Sequence, residues 1–276
     1  MSNLAEALTR LEAVLTDIGR VGVAVSGGVD SLTLATVAHR VLPGQVEMFH
    51  AVSAAVPAQA TARVRDLAAR DGWKLSVLDA GEFEDAHYRS NPVNRCFYCK
   101  TNLYASLVPR SSAQIVAGTN LDDLAEYRPG LDAAKNHGVR HPFVEVGIDK
   151  ATVRAIARHL GLGTIAELPA APCLSSRIET GIAIDPDMLK LVHAAELLVS
   201  EVLAPRTVRC RVRAHRVVIE LDEQNLAALP EAGRNAIESR VAGLFRDGGF
   251  DYPVSCAPYR TGSAFLFVCN ATPPDG

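Results

Sequence analysis

Leu4, Leu8, Leu11, Leu15 and Ile18 recur every three or four positions, which predicts an amphipathic first helix closed by Gly19. Residues 21–25 are then apolar without a break, the pattern of a short strand buried on both faces of a parallel sheet. The same alternation predicts a helix over 30–41 stopping at Pro43-Gly44, a strand over 46–52, a helix over 58–69 and a strand over 75–78. Residues 79–94 are polar and irregular. Beyond them, 98–107 reads as a helix, 114–117 as a fourth strand ending at Gly118-Thr119-Asn120, and 150–160 as a helix capped by Gly161. Strands that alternate with helices in this way predict an α/β protein with a doubly wound parallel sheet.

After Ile178 the pattern changes. A long helix over 185–203 carries Pro186 in its first turn, and 208–212 and 217–221 alternate like two antiparallel strands. A helix over 236–245 and a last strand over 265–269 complete a smaller C-terminal α+β domain, placing the division at 1–180 and 181–276. The Pro-rich end, 272–276, is expected to be loose. Gly161-Leu162-Gly163-Thr164-Ile165-Ala166 matches a dinucleotide fingerprint in letters, but it follows a helix where that motif needs a strand. Its expected form is a helix C-cap leading into a strand.

With 276 residues and 48% hydrophobic content, the chain can bury one full core and a satellite. A net charge of −3 argues against a dominant nucleic-acid surface while leaving room for a local basic pocket. The first nineteen residues carry acids and no long apolar core, and no run is long enough to cross a bilayer, so a cytoplasmic location is expected. Six cysteines in that setting argue against a disulfide framework.

The chemistry begins at Ser26-Gly27-Gly28-Val29-Asp30-Ser31, between the first strand and its helix. A glycine turn at a helix start aims backbone N–H groups at one point, where phosphate can be held. Asp30 and Ser31 fall where a cap is expected, and Asp30 is a candidate ligand for Mg²⁺. No lysine follows the glycines, so this is not the loop of γ-phosphate-transferring NTPases. It resembles the S-G-G-x-D-S signature of PP-loop (N-type) ATP pyrophosphatases, which have a HUP-like sheet. That resemblance implies transfer of AMP from ATP to a carbonyl or carboxylate oxygen.

Cys96-Phe97-Tyr98-Cys99 is by itself ambiguous between a redox pair, half a zinc site and half an iron–sulfur site. With Cys173, three thiolates can hold three corners of a [4Fe–4S] cluster and leave one iron open to an extra sulfide. Cys210 and Cys269 sit in apolar strand patterns and read as packing residues, whereas Cys256 has no evident place. Arg209, Arg211 and Arg213 alternate with apolar residues, so on a strand their guanidiniums share one face at intervals of roughly 6.5 Å. Arginine forks suit phosphate, but composition alone favours a solvated edge strand. The eight histidines form no metal-spaced cluster, and His159 is explained by its place near a helix end.

Five separated segments then share one order: the PP-loop; Asn91-Pro92-Val93-Asn94-Arg95-Cys96-Phe97-Tyr98-Cys99-Lys100; Gly118-Thr119-Asn120-Leu121-Asp122-Asp123; Tyr127-Arg128-Pro129-Gly130; and Pro172-Cys173-Leu174-Ser175-Ser176-Arg177-Ile178. Together they resemble the LarE family of ATP-dependent sulfur transferases. The resemblance implies a small-molecule nucleotide substrate, pyridinium-3,5-biscarboxylic acid mononucleotide, whose carboxylates become thiocarboxylates for the nickel-pincer cofactor of lactate racemase. It further implies ATP and Mg²⁺ at Ser26, Gly27, Gly28, Asp30 and Ser31, a sulfur donor and a homo-oligomer. In one branch a single cysteine, matching Cys173, surrenders its sulfur. The other, which this chain resembles, holds a [4Fe–4S] cluster on Cys96, Cys99 and Cys173. Arg211 and Arg213 are expected to meet the substrate phosphate, with Ser176, Arg177 and Arg260 in the same pocket. Glu196 reads as an exposed helix glutamate sooner than as an acid near the site. A tRNA-thiolating PP-loop enzyme is the chief rival, disfavoured by the charge balance.

Overall fold

The computed structural model describes residues 2–125 and 128–266. In chain order the helices are α1 (Ser2–Ile18), α2 (Val29–Val41), α3 (Ala58–Asp71), α4 (Ala86–Arg89), α5 (Arg95–Leu107), α6 (Gly130–Asn136), α7 (Pro142–Glu145), α8 (Lys150–His159), α9 (Pro186–Leu203), α10 (Glu223–Ala228) and α11 (Glu231–Asp247). The strands are β1 (Val21–Ala24), β2 (Val46–Ala51), β3 (Leu75–Leu78), β4 (Gln114–Ala117), β5 (Val208–Arg213), β6 (Arg216–Leu221) and β7 (Val254–Pro258). Contacts gather them into two units, Met1–Asp85 with Asn94–Pro172, and Ala86–Val93 with Cys173–Gly276.

The first unit is a doubly wound α/β sheet. Its four strands run parallel in the order β3-β2-β1-β4, with Val21 opposite Val46 on one side and Gln114 on the other. Period-two alternation splits the strand residues between two cores. Val21, Val23, Met48 and Val116 join Leu11, Leu15, Leu34, Val64 and Ile156 from α1, α2, α3 and α8. Phe49, Ile115 and Ala117 join Tyr104, Leu107 and Ala134 from α5 and α6 on the opposite face. Gly22 is needed between them, because a Cβ there would lie 2.8 Å from Ile115 and 3.0 Å from Phe49. Chain order reverses at β1, since β2 and β3 lie to one side and β4 to the other. In open parallel sheets this reversal opens a crevice beyond the carboxyl ends of the strands.

The second unit has a mixed three-stranded sheet, β5-β6-β7, with β5 antiparallel and β7 parallel to β6. Helix α9 starts as its sequence dictates: the Asp185 carboxylate accepts from the N–H groups of Asp187 and Met188, and Pro186 fills the first position. Asn91, fully buried at φ 54°, donates from Nδ2 to the carbonyls of Glu179 at 2.9 Å and Ile182 at 3.0 Å. That ties the short segment around α4 into this unit.

Four local expectations change. Helix α5 begins at Arg95, three residues before the expected start, which brings Cys96 onto it. The strand expected after Gly161 does not form. Gly161 and Gly163 both adopt left-handed φ, and the chain closes into a 3-10 turn, Gly163–Glu167, where Arg154 donates to the Ala166 and Leu168 carbonyls. The third strand of the second sheet is β7. Phe265 and Leu266 of the expected last strand are not in a strand, and 267–269 lie outside the described residues. Finally, α2 is capped by Gly28, so Asp30 and Ser31 belong to its first turn.

Candidate active site

The Ser26–Ser31 loop leaves the carboxyl end of β1, at the edge where chain order reverses. Gly27 sits at φ +82°, and a Cβ there would lie 2.6 Å from the Ala60 carbonyl oxygen, so no other residue fits without movement. At Gly28 a Cβ would meet only Ser26 Oγ, at 3.6 Å, which leaves that side of the loop open. Ser31 Oγ turns back to accept from the Ser26 N–H at 3.0 Å and donates to the Gly28 carbonyl at 3.1 Å. The side chain thereby closes the loop on itself. The N–H groups of the first turn of α2 have no acceptor within the helix, and the helix dipole favours an anion there.

Asp30 is held from two distant elements. Asn120 Nδ2 donates to its Oδ1 at 3.1 Å, and Lys150 Nζ donates to its Oδ2 at 2.5 Å. Asn120 is 1% exposed and lies just beyond β4, across the reversal from β1. Gly118 lets the two loops meet, because a Cβ there would lie 2.8 Å from the Ser31 nitrogen. The Asp122 carboxylate accepts the Lys150 N–H, and Asp123 accepts the Asn120 N–H and pairs with Arg128 at 2.8 Å. The crevice therefore presents a carboxylate, an ammonium and a set of backbone donors. Such a set can hold a polyphosphate with its divalent cation. Asn120 stood within a recognised motif, but nothing local marks Lys150, which reaches Asp30 across 120 positions of sequence.

In the second unit Cys173, half-buried, caps a 3-10 turn over Leu174–Arg177. Arg177 anchors that turn. Its Nη1 donates to the Cys173 carbonyl at 3.2 Å, and its Nε and Nη2 grip the two oxygens of Glu196 at 2.8 and 3.0 Å. The Arg177 and Glu196 side chains are 4% and 11% exposed, and Glu196 also accepts the Cys210 N–H at 3.0 Å. Glu196 is thus a buried ion-pair partner and not the exposed helix glutamate expected. Ser175 is buried too, its Oγ 2.6 Å from the Tyr88 hydroxyl.

Strand β5 carries the arginine row, and burial sorts it. Arg211 is 4% exposed, paired with Glu220 at 3.0 Å and donating to the Ser176 carbonyl at 3.0 Å. A solvated edge strand is excluded at this position. Arg213 pairs with Glu179 at 2.7 Å and keeps 18% of its side chain open. Arg260, whose carbonyl accepts from Arg211, is exposed. Arg209 lies over the Tyr259 ring at 5.8 Å, and burial holds its pKa below the ordinary arginine value. Arg177, Ser176, Arg211 and Arg213 are therefore joined in one network, in which all three arginines pair with carboxylates and Arg213 is the most open of them.

Cys96 and Cys99 lie three residues apart on α5, so their side chains share one helix face, and both are half-buried. Two soft thiols on one face are donors of the kind that iron–sulfur chemistry uses. Among the described residues, no group of three or more His, Cys, Asp or Glu side chains is gathered as if around a metal ion. Burial pushes the Cys210 thiol well above the ordinary range, as befits a packing residue. It also pushes Cys256 up to about 12, with help from Glu238. No described helix is long and apolar enough to cross a membrane.

No protein-family model matches the chain. It is 36% identical over 230 residues to an uncharacterised protein of Synechocystis sp., covering 81% of this chain and 84% of the relative. An uncharacterised protein of Methanocaldococcus jannaschii is 27% identical over 164 residues, 58% of this chain and 61% of that one. The pyridinium-3,5-bisthiocarboxylic acid mononucleotide synthase of Lactiplantibacillus plantarum is 31% identical over 231 residues, covering 82% of this chain and 83% of the synthase. Likeness of that degree over more than four-fifths of both sequences, on the fold and loops just described, means that the chain belongs to the LarE family of such synthases.

Proposed function

We propose that the protein is an ATP-dependent sulfur transferase that turns the carboxylates of pyridinium-3,5-biscarboxylic acid mononucleotide into thiocarboxylates. One observation carries the reading. In a chain akin to that synthase, Asp30 stands at the mouth of a phosphate loop, gripped by Asn120 and Lys150. A carboxylate does not exchange oxygen for sulfur directly, because oxide does not leave. Attack of the substrate carboxylate on the α-phosphorus of ATP forms an acyl-adenylate and releases pyrophosphate. Attack of sulfur on the activated carbonyl then releases AMP. Ser26, Gly27, Gly28 and Ser31 cradle the pyrophosphate, and Asp30 binds Mg²⁺ while Lys150 turns to the phosphate oxygens.

Cys173 serves the sulfur-transfer step, in a turn that Arg177 and Glu196 tie down. Cys96, Cys99 and Cys173 are the residues that would hold a [4Fe–4S] cluster, which when bound supplies a transferable sulfide. Arg213 and Arg260 are the cations open to the substrate phosphate, while Arg177, Arg211 and Ser176 hold the wall behind them. A sulfur donor, self-association and a cytoplasmic site of action belong to the same reading.

Incubation of the purified protein with ATP, Mg²⁺ and the biscarboxylate nucleotide is expected to give AMP, pyrophosphate and thiolated product. Pyrophosphate release that ignores this substrate and responds to tRNA would overturn the proposal. Anaerobic iron and sulfide analysis separates the two sulfur routes. Protein without iron that loses the mass of H₂S at Cys173 on turnover would transfer its own sulfur.

A further inference from the structure

Arg63 is absent from the chemistry above, yet it touches the phosphate loop. It lies on α3 one turn beyond Ala60, whose carbonyl oxygen fills the place a Gly27 Cβ would take. Its Nε donates to the Gly27 carbonyl at 3.1 Å. Among the described residues this is its only hydrogen bond, and it makes no ion pair. Burial holds its pKa below the ordinary arginine value, and no carboxylate offsets that cost. Arg140 and Arg128 of this unit take carboxylate partners, Glu145 and Asp123, whereas Arg40 and Arg154 likewise bond backbone carbonyls. A half-buried guanidinium whose Nε is given to a single carbonyl of the loop points to that carbonyl's orientation as the thing maintained.

We infer that Arg63 is a positioning residue: by holding the Gly27 carbonyl it presents the Gly28 N–H to the phosphates of ATP. The peptide between them is trans, so its C=O and N–H point in opposite directions. With the carbonyl drawn toward α3, the N–H turns into the loop, where it meets Ser26 Oγ at a long 3.4 Å. A bond that long leaves the N–H available to an anion. Within the loop this is the one peptide flanked by glycine on both sides, so no Cβ resists its rotation. Rotated by half a turn, it would aim a carbonyl oxygen at the phosphates and repel them. Arg63 removes that alternative before ATP arrives.

The inference rests on the proposed use of ATP, and three full-length variants test it. In glutamine the side-chain nitrogen occupies the same position from Cα as arginine Nε, so Arg63→Gln keeps a donor and loses the charge. Arg63→Lys keeps the charge and moves the donor one atom outward. Arg63→Met loses both. Because saturating ATP selects the competent loop, Arg63→Met is expected to raise KM for ATP roughly 10-fold while kcat stays within about 2-fold. KM for the carboxylate substrate should not change. Arg63→Gln is expected to stay within about 3-fold of the unaltered KM, with Arg63→Lys resembling Arg63→Met. Thermal unfolding of each variant shows whether the fold is intact, and the Gln–Lys comparison remains informative should Arg63→Met not fold. A lysine variant that keeps its KM while glutamine loses it would mean direct charge contact with phosphate and would overturn the lock. So would an Arg63→Met enzyme of unaltered KM. An unaltered protein that consumes no ATP would instead refute the proposed function itself, and the lock with it.

Discussion

Removing the Glu196 carboxylate tests how the Cys173 turn is held. Glu196 answers two bonds of a guanidinium only 4% exposed, at 2.8 and 3.0 Å, and also takes the Cys210 N–H at 3.0 Å. Glu196→Ala takes the carboxylate away from a buried guanidinium, a change that costs about 3–5 kcal/mol where it has been isolated. An orphaned backbone N–H adds about 1–3 kcal/mol if water cannot reach it. Against a total stability of about 5–15 kcal/mol, the variant should be close to unfolding under mild conditions. Glu196→Gln should fall between, because its amide oxygen can still accept one bond. If unpaired charge is the cause, removing Arg177 as well should recover stability. The double variant Arg177→Met/Glu196→Leu is expected to be more stable than Glu196→Ala by at least about 2 kcal/mol. Urea unfolding of the four proteins gives the comparison. A loss below about 1 kcal/mol in Glu196→Ala, or a double variant no more stable than Glu196→Ala, would refute the reasoning.

Three further outcomes follow from the first unit and the thiols. Lys150→Met removes the cation on Asp30 and should lower kcat/KM for ATP by roughly 10–100-fold, with the unfolding midpoint nearly unchanged because the pair is partly exposed. A Tm drop of many degrees would instead make the pair structural. His50 is fully buried between the Val25 carbonyl at 2.8 Å and Thr61 Oγ1 at 2.9 Å, and burial depresses its pKa below the model-compound 6.5. Below 6.5 the unfolded chain takes up a proton that the folded imidazole resists, so its stabilisation is present at pH 7.5 and declines as pH falls through the folded value. Denaturant titrations at pH 7.5 and 5.5 should show that decline shrink in His50→Asn. Timed alkylation at pH 8 followed by peptide mapping should find Cys210 and Cys256 slowest, given thiols raised by burial. Rapid labelling of Cys210 in the folded protein would contradict its burial.

The parallel sheet was legible because strands covered on both faces need uninterrupted apolar residues, and 21–25 and 115–117 supply them. The phosphate loop was legible because glycine is required where φ is positive and backbone approaches backbone, as at Gly27. Strand β7 was not. It lies at a sheet edge, mixes half-buried with exposed residues, with Cys256 and Ala257 both half-buried, and ends in Pro258, so neither a continuous nor a clean alternating pattern arises. Glu196 was misread for a different reason. A glutamate on a helix is usually solvated, and only the partner nineteen positions away makes its burial affordable. Lys150 and Arg63 share that limit, since each acts on a residue far off in sequence. Composition likewise could not separate Arg211, sealed against Glu220, from the more open Arg213 one alternation further along β5.

Residues 86–93 belong to the second unit although they are made almost ninety positions before the rest of it. Tyr88 and Asn91 must wait for Ser175, Glu179 and Ile182 to be synthesised before their bonds can close. A fragment starting at Cys173 would lack them, leaving those carbonyls bare. The chain thus passes from one unit to the other three times, and no single cut yields two whole halves. Assembly of the second unit must therefore wait for chain made after Cys173, and a fragment that begins there should be less soluble than the whole protein.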